Sequence, residues 1–138
     1  MSGPGLRSTD SHAAIHEAAI YEAKELNQMI QKLLMENEEE KALEVAYIAV
    51  EHWETRTLRH AESEEQGLYK EIVKEQPDLK ESIIELTRDH NTLRWLVQEI
   101  KELLDAEGMS EEILERFYAL VYVDLYHNET EEKILPNH

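Results

Sequence analysis

Cysteine is absent from the 138 residues of the chain. Its absence excludes disulfide bonds, zinc–thiolate sites, iron–sulfur clusters and a cysteine nucleophile. Any bound metal ion would therefore need nitrogen and oxygen ligands, which histidine and carboxylate side chains supply.

Glycine and proline are scarce, with four and three residues, whereas 41% of the chain is hydrophobic. So few helix-breaking residues favour long helices over a sheet protein with many turns. The length suits one compact domain with a single core. The composition therefore predicts an all-α domain.

Positive charge is also in short supply, because 14 basic residues face 31 acidic ones and the net charge is -17. Such a surface repels nucleic acid and anionic lipid. No apolar run approaches the roughly 20 residues of a membrane span, and the first eleven residues lack the apolar core of a signal peptide. We expect a cytoplasmic protein without nucleic-acid or membrane partners; the oligomeric state stays open.

The first ten residues show no periodic apolar pattern and include two glycines and a proline. We predict a flexible tail over residues 1–10 and a helical domain over residues 11–138. Asp10 or Ser11 can cap the first helix. Apolar residues then recur every three or four positions until the acidic cluster at 36–40, where the helix is predicted to end.

Three further helices follow from the same periodicity. Prolines, a glycine and capping side chains mark their ends, and they are predicted from about Lys41 to before Pro77, from Asp78 to near Gly108, and from Ser110 to before Pro136. Four helices with short connections favour an antiparallel up-down-up-down bundle.

An internal repeat is the most informative feature of the sequence. The segments that begin at His60 and His127 both read H-x-E-[ST]-E-E-x-x-L. Residues four apart on a helix lie about 40° apart around its axis. His60 and Glu64 therefore share one face, as do His127 and Glu131. The two side chains of each pair can bind the same ion or molecule.

Helices one and three each add an isolated histidine, His16 and His90. A helix rises about 1.5 Å per residue, and residue counts along the four helices place these two histidines and the two of the repeat at a similar height in the bundle. Burying such a polar layer is costly unless something binds it, and imidazole and carboxylate are natural metal ligands. We predict a two-metal centre with these ligands: His16, His60, Glu64, His90, His127 and Glu131.

Other polar residues stand close to this set. His12 lies one turn before His16, so it is either a fifth imidazole ligand or a surface residue. Asp124, three residues before His127, can hold an imidazole N–H or bind metal directly. Glu65 and Glu132 point about 100° away from the predicted ligands, which favours salt bridges or hydrogen bonds to the ligands over direct ligation.

The aromatic residues are interpreted as structural. Trp53, Trp95 and Phe117 are expected to pack inside the bundle. The tyrosines, Tyr69 and Tyr126 among them, mostly fall off the metal-facing stripe, and no chemistry is assigned to them.

From His16 to Pro136 the chain resembles the hemerythrin-like, or HHE cation-binding, domain family. The two H-x-x-x-E-E segments and the isolated histidines carry the resemblance. It implies a four-helix bundle with two iron ions (Fe2+/Fe3+), bridged by two carboxylates and an oxo or hydroxo group. By matching position, His16 and His60 would bind one iron and His90 and His127 the other; Glu64 and Glu131 would bridge.

One position departs from the oxygen-carrying members, which have a second histidine where this chain has Arg94. An arginine stays protonated and is not an ordinary ligand. One iron would then keep more open positions, unless His12 or a carboxylate substitutes, and this favours reaction of a bound oxidant over reversible carriage.

The resemblance implies a non-haem di-iron protein that binds or reacts with dioxygen or peroxide, as a sensor or in oxidase- or peroxidase-type chemistry. The alternative is a metal-binding or iron-sensing module without turnover. Manganese or zinc suits the same ligands.

Overall fold

The computed structural model describes the backbone of residues 9–135 and the side chains of residues 13–135. All regular secondary structure in this part of the chain is helical, which confirms the all-α prediction. The helices run as follows: α1 Thr9–Met35, α2 Glu39–His52, a π-helical segment Trp53–Leu58, α3 Arg59–Gln66, α4 Leu68–Glu75, a 3-10 turn Pro77–Leu79, α5 Lys80–Glu107 and α6 Glu111–Ile134.

The predicted second helix is interrupted twice. The π-helical segment between α2 and α3 accommodates an extra residue in its turn, which changes the direction of every later side chain. At Gly67 the backbone leaves helical geometry, with φ -115° and ψ -86°. The helix then resumes as α4 and ends before Pro77, as the proline predicts.

The predicted helix ends were correct at Gly108 and Ser110 and wrong at Asp78. Gly108 follows α5 with a positive φ of 76°, a conformation that glycine adopts without strain. The Ser110 hydroxyl accepts a hydrogen bond from the Ile113 N–H. Asp78 instead lies inside the 3-10 turn that begins at Pro77, and α5 starts at Lys80 without a side-chain cap.

The apolar core forms two clusters, and a layer of polar side chains lies between them. The larger cluster fills the body of the bundle around Trp53 and Phe117. The smaller one surrounds Tyr69 and Leu86 near the opposite end. Trp95 belongs to neither: 74% of its surface is exposed, so the expectation of bundle packing was wrong for this residue. Trp95 lies on the solvent-facing side of α5, away from the stripe of buried residues that includes Leu93 and Val97.

Some predictions fall on residues outside the described part. Residues 1–8 and 136–138 lie outside it, so the predicted tail stays a prediction there. Because α1 begins at Thr9, Asp10 and Ser11 lie inside the helix, and their predicted position as its cap was wrong. The side chain of His12 is likewise outside. No helix within the described residues is both long enough and apolar enough to cross a membrane.

Candidate metal centre

The polar layer contains all six predicted ligands. Glu64 comes from α3, His90 from α5, and His127 and Glu131 from α6; all four residues are buried. His16 on α1 and His60 on α3 complete the layer, with 11% and 29% of their side chains exposed. Side chains of this kind are costly to bury unless they are paired or bind a cation.

Four of the six residues form a compact set. In Glu64, His90, His127 and Glu131, one ligand atom of each lies within 4.8 Å of the others. His90 Nε2 is 3.1 Å from His127 Nε2 and 3.4 Å from Glu64 Oε1, and His127 Nε2 is 3.5 Å from Glu131 Oε2. Two ligand atoms that bind the same ion at about 2.1 Å are about 3.0–3.4 Å apart when the ligand–metal–ligand angle is about 90–110°. These separations therefore suit one shared cation.

The remaining two histidines form a second set that shares a carboxylate with the first. His16, His60 and Glu64 also offer ligand atoms within 4.8 Å of one another. His60 Nε2 is 3.6 Å from Glu64 Oε2, and His16 Nε2 is 3.9 Å from Glu131 Oε1. Glu64 Oε2 is buried without a hydrogen-bond partner. The donor set therefore fits two neighbouring cations with Glu64 between them.

Two further carboxylates hold the outer nitrogens of the buried histidines. Glu65 Oε2 lies 2.6 Å from His90 Nδ1, and Asp89 Oδ2 lies 2.9 Å from His127 Nδ1. A carboxylate at Nδ1 fixes the tautomer in which Nε2 is free to bind metal. Glu65 thus contacts a predicted ligand without being one itself, as expected from its position in the repeat. Asp89 was not predicted, because it lies in no repeat and on no periodic stripe.

Arg94 takes no place among the ligand atoms. Its guanidinium donates to Glu65 at 3.0 Å and to Asn91 at 2.9 Å. Arg94 therefore orients the carboxylate that in turn holds His90.

Tyr69, like Asp89, was not predicted from the sequence to belong to the centre. Its hydroxyl donates to Glu131 Oε2 at 2.5 Å, and its ring stacks on His90 with centroids 5.6 Å apart. In an unbroken α-helix Tyr69 would point about 140° away from Glu64. The break at Gly67 changes this direction, so the signal in the sequence was the glycine itself.

The charges of the layer depend strongly on one another. Burial raises the pKa of Glu64, but His60 and His90 outweigh it and hold that pKa below its usual range. Burial likewise opposes the charge of His127, yet Glu131 and Asp89 raise the pKa of this imidazole to about 9. Burial lowers the pKa of His16, which keeps its imidazole neutral near pH 7. Burial and the nearby carboxylates raise the pKa of Tyr69, so the phenol keeps its proton.

Asp124 lines a small cavity between the ligand residues, but it does not hold the imidazole N–H of His127 as one of its two predicted roles required. Asp89, not Asp124, bonds the outer nitrogen of His127, since Asp89 reaches across from α5. Burial raises the pKa of Asp124 to about 6, against the nearby histidines, which lower it. The neighbouring Asn128 also lines the cavity, and its side-chain nitrogen is buried without a hydrogen-bond partner.

A small cavity of about 20 Å³ lies between the ligand residues. A groove of about 520 Å³ between α1 and the π-helical segment adjoins it. The cavity and the groove share Ile15, Ala19, Arg56 and His60 as lining residues. His60 is therefore the predicted ligand that stands between the cavity and the protein surface.

A family model described as the hemerythrin HHE cation binding domain matches residues 10–136. The match extends over nearly the whole chain and includes all six residues of the layer. Comparison with curated proteins and with solved structures gives no match.

Proposed function

Because this chain belongs to the hemerythrin HHE cation-binding domain family, we propose that it is a non-haem di-iron protein that reacts with dioxygen or peroxide. One observation carries the proposal: two overlapping sets of ligand atoms share Glu64. A single-ion site would need only one such set. The sharing favours a pair of ions held close together.

The proposed ligand assignment follows the two sets. His90 and His127 would hold one ion, and His16 and His60 would hold the other. Glu64 faces both histidine pairs, and Glu131 directs Oε2 toward His127 and Oε1 toward His16. These orientations support a bridging role for both carboxylates.

When bound, a pair of ferrous ions supplies the electrons that a small oxidant accepts. The protein positions the ligand side chains and shields most of them from water. Apolar clusters on both sides of the layer shield its buried side chains, Glu64, His90, His127 and Glu131, from water, which strengthens electrostatic interactions among them. The Tyr69 hydroxyl holds a proton at Glu131 Oε2, and Glu65 and Asp89 keep the histidine rings oriented.

The antiparallel up-down-up-down order of the bundle is part of the same proposal, and contacts along the helices support it. On α1, His16 faces Glu131 near the end of α6, while Gln31 accepts a hydrogen bond from Tyr118 near its start. Between α5 and α6, Asp89 contacts His127 and Glu99 contacts Arg116. In both pairs, residue numbers rise on one helix as they fall on the other.

The test is to load the purified protein anaerobically with Fe2+ and then expose it to air or hydrogen peroxide. Two irons per chain and a new ligand-to-metal charge-transfer absorption are expected. The double variant His60→Ala and His127→Ala should lose both, whereas His52→Ala should keep them. His52 lies off the layer and contacts the Ala19 carbonyl oxygen. A full iron load without any absorption change on exposure to either oxidant would overturn the redox proposal.

A metal-sensing module without turnover is the second candidate, and the buried polar layer favours it. The layer is made by side chains from α1, α3, α5 and α6, so cation binding would draw several helices together. The ligand set also suits manganese or zinc. Chelation that melts the helices, in a protein that shows no reaction with dioxygen or peroxide, would support this candidate.

The cytoplasmic location stays a prediction.

A further inference from the structure

The two sets of ligand atoms are unequal in number and burial. The set with His90 and His127 offers four residues, all of them buried, whereas the set with His16 and His60 offers three, and only Glu64 of these is fully buried. More ligands that are already close together bind a cation more tightly, because less ordering is required on binding.

The surroundings of the imidazoles reinforce this difference. Both Nδ1 atoms of the buried pair, in His90 and His127, lie at hydrogen-bond distance from a carboxylate. Such a contact holds the ring in place and makes Nε2 a better donor. The proton on Nδ1 has an acceptor in the tautomer that metal binding requires.

His16 lacks this support. Its Nδ1 atom is buried and has no hydrogen-bond partner. When Nε2 binds a cation, the proton must reside on Nδ1, where it would be buried without an acceptor. The imidazole of His16 can bind, but with a penalty that His90 and His127 do not carry.

The less favourable set also lies nearer to solvent. His60 has 29% of its side chain exposed, against 3% for His90 and 2% for His127. The groove beside α1 reaches His60 and includes the small side chains of Ala14 and Ala18. A cation at His16 and His60 would have a short path to the surface.

We propose that the two metal positions fill in order: the first ion binds tightly at His90, His127, Glu64 and Glu131, and the second binds weakly and exchangeably at His16 and His60. This inference rests on the two-metal centre of the proposed function. It adds that the chain has a stable one-metal form, and that the concentration of free metal sets the population of the two-metal form.

The experiment is an anaerobic calorimetric titration of the full metal-free chain with Fe2+. Two steps are expected, each of about one ion per chain, with dissociation constants at least tenfold apart. His16→Ala should remove the second step and leave the first unchanged. Two equal steps, or loss of the tight step in His16→Ala, would overturn the proposed order while leaving a two-metal centre in place. Absence of any Fe2+ binding would overturn both proposals.

The supporting carboxylates provide an independent test in the same titration. Glu65→Gln and Asp89→Asn should each weaken the first step about 10- to 100-fold, the range typical of groups that support metal ligands. Glu62→Gln and Asp105→Asn are matched controls, since these carboxylates bond Gln66 and Tyr47 at the surface. Circular dichroism establishes that each variant is folded. A first step equally tight in both supporting variants and both controls would contradict the proposal.

Discussion

Tyr69 and Glu131 are joined by a buried hydrogen bond in which the phenol donates to the carboxylate at 2.5 Å. Glu131 lies 3.9 Å from His16 and 3.5 Å from His127, so the bond fixes one oxygen of a carboxylate that contacts a histidine of each pair. The hydroxyl also holds the short helix α4 against the end of α6. Tyr69 thus links the apolar cluster beneath the layer to the candidate metal centre.

Replacement of Tyr69 by phenylalanine is predicted to destabilise the metal-free protein by about 1.5–3 kcal/mol, the range for a hydrogen bond to a charged group. The ring and its stacking on His90 remain, so the loss reports the hydroxyl alone. Chemical unfolding measures it. With metal bound the loss should be smaller, because a cation then compensates Glu131. Tyr126→Phe is the control, since Tyr126 is 65% exposed, and an equal loss in both variants would contradict the prediction.

The metal-free protein is predicted to lose stability as pH rises from about 6.5 to 9. His127 has a pKa of about 9 in the folded chain, against about 6.5 for a histidine in an unfolded chain. A raised pKa means that protonation favours the folded state, so its stabilisation is complete below pH 6.5 and is lost as pH rises through 9. Unfolding curves at pH 6, 7.5 and 9.5 measure this loss. His127→Gln should flatten the dependence, and a wild-type slope that persists in this variant would contradict it.

Metal affinity is predicted to change with pH in the opposite direction. A cation at His127 must displace a proton below pH 9, since the ring has to be neutral to bind. The affinity should therefore rise between pH 6.5 and 9, with proton release on binding. Calorimetry in two buffers of different ionisation enthalpy counts the released protons. Binding without proton release at pH 7 would exclude His127 as a ligand.

Asp124→Asn is predicted to stabilise the metal-free protein at pH 8 and to have little effect at pH 3. Burial raises the pKa of Asp124 from 3.8 to about 6, so ionisation above that range costs folding free energy, up to roughly 3 kcal/mol. Asparagine removes that charge. If Asp124 also faces a bound cation, the same variant should weaken metal binding. A variant that is no more stable than the wild type at pH 8 would contradict the prediction.

Arg94→Gln is predicted to destabilise the protein by less than about 1 kcal/mol, because the ion pair with Glu65 is partly exposed. His90→Gln should instead abolish tight metal binding. Unfolding curves and metal content distinguish the two effects. If Arg94→Gln removed metal as completely as His90→Gln, Arg94 would have a larger role than orienting Glu65.

Prediction from the sequence was most successful where local pattern governs structure. The repeat at His60 and His127 located both histidine and glutamate pairs, because residues four apart share a helical face wherever the helix packs. Residue counts along the helices brought His16 and His90 to the same layer. The second helix departed from prediction at Gly67 and in the π-helical segment, where a local change in backbone geometry alters the direction of the side chains that follow.

The amino-acid sequence by itself determined the helical class, the membership of the layer and the need for nitrogen and oxygen ligands, since periodicity and composition are properties of the chain. Tertiary structure alone decided that Asp89 and Tyr69 support the layer. Asp89 reaches His127 and Tyr69 reaches Glu131 across more than thirty and sixty positions of chain, respectively. Such contacts depend on how whole helices are rotated against one another, and no spacing within a single helix specifies that rotation.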